Sequence, residues 1–149
     1  DPVGRNRATV VADRGRDVAE FLGQLDRCLV VGDVGGAVKL FGSVDEGMRE
    51  LGYRRMSEVG RSVGTVKRVL AGMPGVDRLA ACKELMCAKR WRSVACMELA
   101  SLRGDPGARD AVDAYLDELS GSAGYEPIAA RVRSIRVTPG DARPGRGAL

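Results

Sequence analysis

The stretch VDRLAACKELMCAKRWRSVACMELASLR, residues 76–103, runs 28 residues without a glycine or a proline. All 20 glycines and all 6 prolines of the chain fall among the other 121 residues. Such a gap marks helix, because both residue types are disfavoured in helix interiors. The same stretch holds the only tryptophan, Trp91, and three of the four cysteines, Cys82, Cys87 and Cys96. Its apolar stripe moves along its length. Val76, Leu79, Cys82 and Met86 share one side, and Trp91, Ala95, Leu99 and Leu102 lie more than a quarter turn away at 100° per residue. The displacement predicts two helical segments joined by a bend near residues 89–92.

Helical spacing extends outward from there. Gly104-Asp105-Pro106 marks the next boundary, with Asp105 as N-cap and Pro106 at the first helical position, where its missing N–H is no loss. The helix that follows turns Ala111, Val112, Tyr115, Leu116 and Leu119 inward and ends at Gly121. Pro127 opens a last short helix with Ile128, Val132 and Ile135. Before residue 76, Met73-Pro74-Gly75 ends a helix over 58–72, capped by Ser57, with Val59, Val63, Val66 and Leu70 on one face. A helix over 34–51 carries Val38, Phe41, Val44, Met48 and Leu51; one over 17–31 carries Val18, Phe21, Leu22, Leu25 and Leu29. The expected fold is all-α, a compact bundle of six or seven short helices. Residues 1–16 read as a flexible polar N-terminus, 17–137 as a single helical domain, and 138–149 as a disordered, basic, Pro/Gly-rich extended tail.

Composition narrows the chemistry. Aromatic residues make up only 4% of the chain, so the core must come from Leu, Val, Ala and Met. Histidine is absent, which excludes a Ser-His-Asp triad, a Cys-His nucleophile, an imidazole metal ligand and an imidazole pH switch. Four cysteines without a C-x-x-C spacing read as structural free thiols in a reducing compartment, with no metal and no cofactor. No apolar run approaches the roughly 18 residues of a membrane span and no signal peptide is visible, so the expected location is intracellular, without a membrane partner.

The local motifs fall short of known sites. Residues 29–39, LVVGDVGGAVK, look like a strand entering a phosphate loop, but Ala37 stands where the second glycine belongs, Lys39 comes one place late and Leu40 replaces the hydroxyl. Residues 56–70 resemble part of a helix-turn-helix and lack its turn. Met73-Pro74-Gly75-Val76 resembles a helix-hairpin-helix, except that Asp77 sets a negative charge where a phosphate-binding glycine would be. Leu25-Asp26-Arg27-Cys28 through Ala37-Val38-Lys39-Leu40-Phe41 faintly resembles one pentatricopeptide-type helix pair. That pattern does not recur near residues 55–75, and solenoids need repeats. Asp110, Asp113 and Asp117 share a helix face that reads as a solvated stripe, pairing with Arg109 or accepting arginines of the next helix.

Charge offers the remaining candidates. The net charge is +4, with 20 Arg against 4 Lys. Residues 131–149 hold Arg131, Arg133, Arg136, Arg143 and Arg146 against Asp141 alone, which is +5 and −1, so this segment equals the whole excess. Lys89, Arg90 and Arg92 surround Trp91, a combination suited to stacking bases and neutralising phosphates. No catalytic residue is assigned, because no nucleophile–base pair or cofactor loop is found. The sequence therefore suggests a non-catalytic binding or assembly protein whose Arg-rich surfaces contact nucleic-acid phosphates, as in a ribonucleoprotein or nucleocapsid subunit. The alternative is a helical protein–protein adaptor that meets an acidic partner surface, with self-association left open.

Overall fold

Gly32 ends the first helix, adopting a φ of +76° that residues with a Cβ seldom take. The computed structural model describes the backbone of residues 2–136 and the side chains of residues 14–136. It is all-α: eight helices and one 3-10 turn, with no strand among the described residues. The expected tail at 138–149 lies outside the described residues. The contacts divide the chain into two compact units, and the boundary, between Val69 and Leu70, falls inside the stretch 17–137 expected as a single domain.

In the first unit α1 (Pro2–Val31) packs against α2 (Val34–Gly42) and α3 (Glu46–Val59). Helix α1 begins at Pro2 rather than Asp17. Polar residues do not stop a helix, and no proline follows Pro2 before Gly32. The helix expected over 34–51 is two helices. Helix α2 starts under Asp33, whose carboxylate accepts from the Gly36 amide at 2.9 Å, and ends at Ser43. Helix α3 then restarts under Asp45, whose carboxylate accepts from the Met48 amide at 2.9 Å. The break turns a different face inward: Met48, Tyr53 and Met56 are buried, whereas Leu51 is exposed.

Three rings hold this unit together. Phe21 meets Phe41 edge-on at 5.9 Å between centroids, and Phe41 stacks on Tyr53 at 5.0 Å. Gly52 lets α3 approach them. A Cβ at that position would lie 2.6 Å from Phe41 Cε1 and 2.8 Å from Phe21 Cζ. Across the surface, Arg55 clasps Asp26 with two hydrogen bonds of 2.9 and 2.7 Å. Arg14 clasps Asp45 at 2.7 and 3.1 Å. Helix α4 (Val63–Ala71) carries the unit boundary. Ser62, not Ser57, caps it by accepting from the Thr65 amide at 3.1 Å, and Ser57 lies inside α3 with its hydroxyl donating to the Arg54 carbonyl. Val63 is exposed, so the buried face of α4 is Val66, Val69 and Leu70.

In the second unit α6 (Arg92–Arg103) is the central helix, packing on α5 (Gly75–Cys87), α7 (Arg109–Ser120) and α8 (Glu126–Ser134). Leu79, Cys82, Leu85 and Met86 are buried on α5, and Val94, Ala95, Leu99 and Leu102 on α6. Val76, expected on the buried stripe, is 82% exposed at the first turn of α5. The expected bend is there: Ala88 is extended, and a 3-10 turn, Lys89–Trp91, leads into α6. Asp105 opens a turn rather than α7 itself, its carbonyl accepting from the Ala108 and Arg109 amides before the helix starts at Arg109. On α7, Val112, Leu116 and Leu119 are buried, while Ala111 is exposed.

Candidate functional site

The four residues 89–92 separate once the turn is formed. The 3-10 turn drops Trp91 into the interior, where it is 1% exposed. The Arg90 guanidinium sits 4.9 Å from its ring centroid. Arg92 donates from Nε to the Met86 carbonyl at 3.1 Å and from Nη2 to the Tyr125 hydroxyl at 3.3 Å, its guanidinium lying over the Tyr125 ring. Arg92 thereby ties the end of α5 to the start of α8. A base-stacking platform needs an open ring face, and Trp91 has none. Of this group only Lys89 and Arg90 are exposed.

The arginines of α8 divide as well. Arg133 donates to the Asp117 carboxylate and to the Ser120 hydroxyl. Arg103 donates from Nε to Asp113 at 2.8 Å and from Nη1 to the Arg133 carbonyl at 3.3 Å, and Arg109 reaches Asp113 at 3.8 Å. The acidic face of α7 is therefore a rail that anchors α6 and α8 through Asp113 and Asp117. Arg131 and Arg136 are exposed, and Arg143 and Arg146 lie outside the described residues.

All four cysteines are free. Burial pushes the Cys82 thiol far up, with nearby Glu98 adding to the effect, and burial raises Cys96 too. Both are poor nucleophiles as a result. Cys87 is exposed. No group of three or more metal-ligating side chains occurs among the described residues, and no described helix is long and apolar enough to cross a membrane.

The corner between α1 and α2 holds the stretch 29–39 that the sequence offered only as an incomplete phosphate loop. Leu25 and Leu29 point α1 into the core, which sends the next two positions, roughly 100° and 200° further round the helix, outward. Those positions are Val30 and Val31, 82% and 75% exposed. Their order in the sequence, directly after the inward pair, carried this signal. Two shallow grooves meet here and share Arg27 and Cys28 as a wall. One, of about 370 Å³, is bounded by Val30, Val31, Asp26 and Asp33; the other, of about 410 Å³, by Gln24, Lys39, Leu40 and Ser43. The loop cannot act as a phosphate cradle, since the Asp33 carboxylate already holds the Gly36 amide. Burial, then the nearby Asp33 charge, raises the Cys28 thiol, which favours its neutral form.

Comparison of the chain with protein-family models, characterised proteins and solved structures gives no match to any of them.

Proposed function

We infer that this chain is a non-catalytic helical binding protein that docks another protein at the α1–α2 corner. The observation that carries this reading is the adjacent pair Val30 and Val31, each at least three-quarters exposed beside two shallow grooves. A β-branched pair held outward on a rigid helix loses little conformational freedom when it is covered, and apolar area beside a groove is where association gains free energy. The test is affinity purification of the tagged full chain with quantitative mass spectrometry. Val30→Asp with Val31→Asp should remove specific partners that Val76→Asp, at an equally exposed valine of α5, retains. An identical partner set for both variants would overturn the reading.

A second reading is supported by charge. Residues 131–149 carry five arginines against one aspartate, and Arg131 and Arg136 are exposed. Such a segment binds phosphate backbones without reading sequence. Anisotropy titrations of a labelled single-stranded oligonucleotide would then show affinity falling steeply with salt, with a log–log slope of about −0.7 per neutralised phosphate. No binding at low salt would remove this reading.

A further inference from the structure

The geometry points to an acidic partner: the groove between α1 and α2 takes a peptide segment that carries a carboxylate beside aliphatic side chains. This rests on the docking role inferred for the corner and names the chemistry of its occupant. The charged residues lining the groove of Gln24, Lys39, Leu40 and Ser43 are Arg27 and Lys39, both cations and both exposed. Among the described residues, neither has a carboxylate within salt-bridge distance.

Elsewhere in this unit arginines find acids: Arg14 holds Asp45, and Arg55 holds Asp26. The two acids at the neighbouring groove are committed already. Asp26 is clasped by Arg55, whose guanidinium holds its carboxyl below the usual carboxylate range, and Asp33 caps α2. The corner thus presents two cations without a salt-bridge partner, Arg27 and Lys39, beside two exposed valines, with the Asp33 carboxylate on the valine side turned to the cap of α2. Leu40 adds apolar lining to the groove that holds the two cations. A basic or strongly polar segment would leave Val30 and Val31 wet and set like charges together. An acidic, aliphatic segment satisfies both halves.

Selection of peptides from a random phage-displayed library against the full chain tests this. Enriched peptides should combine Asp or Glu with Leu, Ile or Val, and a synthetic copy of one should bind at least tenfold more weakly to the Arg27→Glu/Lys39→Glu variant. Circular dichroism checks that the variant is folded. Binding lost with Val31→Asp but unchanged by the charge reversal would overturn the acidic partner while keeping the docking corner. Enrichment of basic peptides, or binding unaffected by either change, would sink the inference, and in the latter case the docking role falls with it. A single-stranded oligonucleotide, run as a parallel probe, should be indifferent to the charge reversal; loss of its binding there, with no acidic peptide selected, would give the groove to phosphate instead.

Discussion

The two units differ in what surrounds their basic residues. In the second unit the basic residues mostly do structural work. Arg92 ties α5 to α8, Arg103 and Arg133 lash α6 and α8 to the acidic face of α7, and the tryptophan in their midst is buried. In the first unit the rings are inside, yet Val30, Val31, Arg27 and Lys39 stand uncovered at one corner. The difference teaches that a basic cluster in a sequence is not yet a binding surface. What matters is whether the fold has already spent each charge, and at residues 92, 103 and 133 it has.

The largest test of that contrast is Trp91→Ala. A fully buried tryptophan should take about 3–5 kcal/mol of stability with it, read from urea unfolding. A loss under about 1 kcal/mol would return Trp91 to the surface and break the comparison. Next is Gly52→Ala in the first unit. Alanine is the better helix former by about 1 kcal/mol, but its methyl would press on Phe41 and Phe21, and overpacking of this kind costs about 1–3 kcal/mol. The expected outcome is net destabilisation; a stabilised variant would show that the ring cluster yields.

Smaller effects sharpen the account of the charges. A double-mutant cycle on Arg133 and Asp117 should give a coupling of about 0.2–1 kcal/mol that shrinks with added salt, because the aspartate is largely solvent-exposed. Zero coupling would leave Arg133 available for ligands. The smallest effect is on acid stability. Arg55 lowers the carboxyl of Asp26, and Arg14 with the Met48 amide takes Asp45 down to about 2. Their folded values lie below the unfolded ones, so the stabilisation is complete above about pH 4 and is lost as pH falls toward 2. Circular dichroism of Asp45→Asn should therefore show a shallower loss between pH 4 and 2 than the parent chain.

Much of the fold was legible because its punctuation was strong. The Gly/Pro-free run gave α5 and α6, the shifted stripe gave the bend at Lys89–Trp91, and Gly32-Asp33 gave the turn before α2. The break between α2 and α3 was harder to see. The apolar spacing Phe41, Val44, Met48 runs through it in helical register, and the polar groups of Ser43, which donate to the Leu40 carbonyl, and the capping carboxylate of Asp45 decide against continuation. Ser57 and Ser62 both precede apolar helical spacing, and the hydroxyl that meets an amide settles the choice at Ser62. Trp91 belonged to a core stripe and to a basic cluster at once; a 3-10 turn, set by tertiary packing, chose the core. The candidate corner left its trace in register, as two valines placed just past Leu29.

The most direct test of the contrast between the units is site-specific photo-crosslinking in cells, with the same photoreactive residue placed at Val31 or at Lys89 of the full chain. The account predicts a discrete protein adduct from position 31 and no matching adduct from position 89. An adduct formed only from position 89, whether to protein or to nucleic acid, would contradict it.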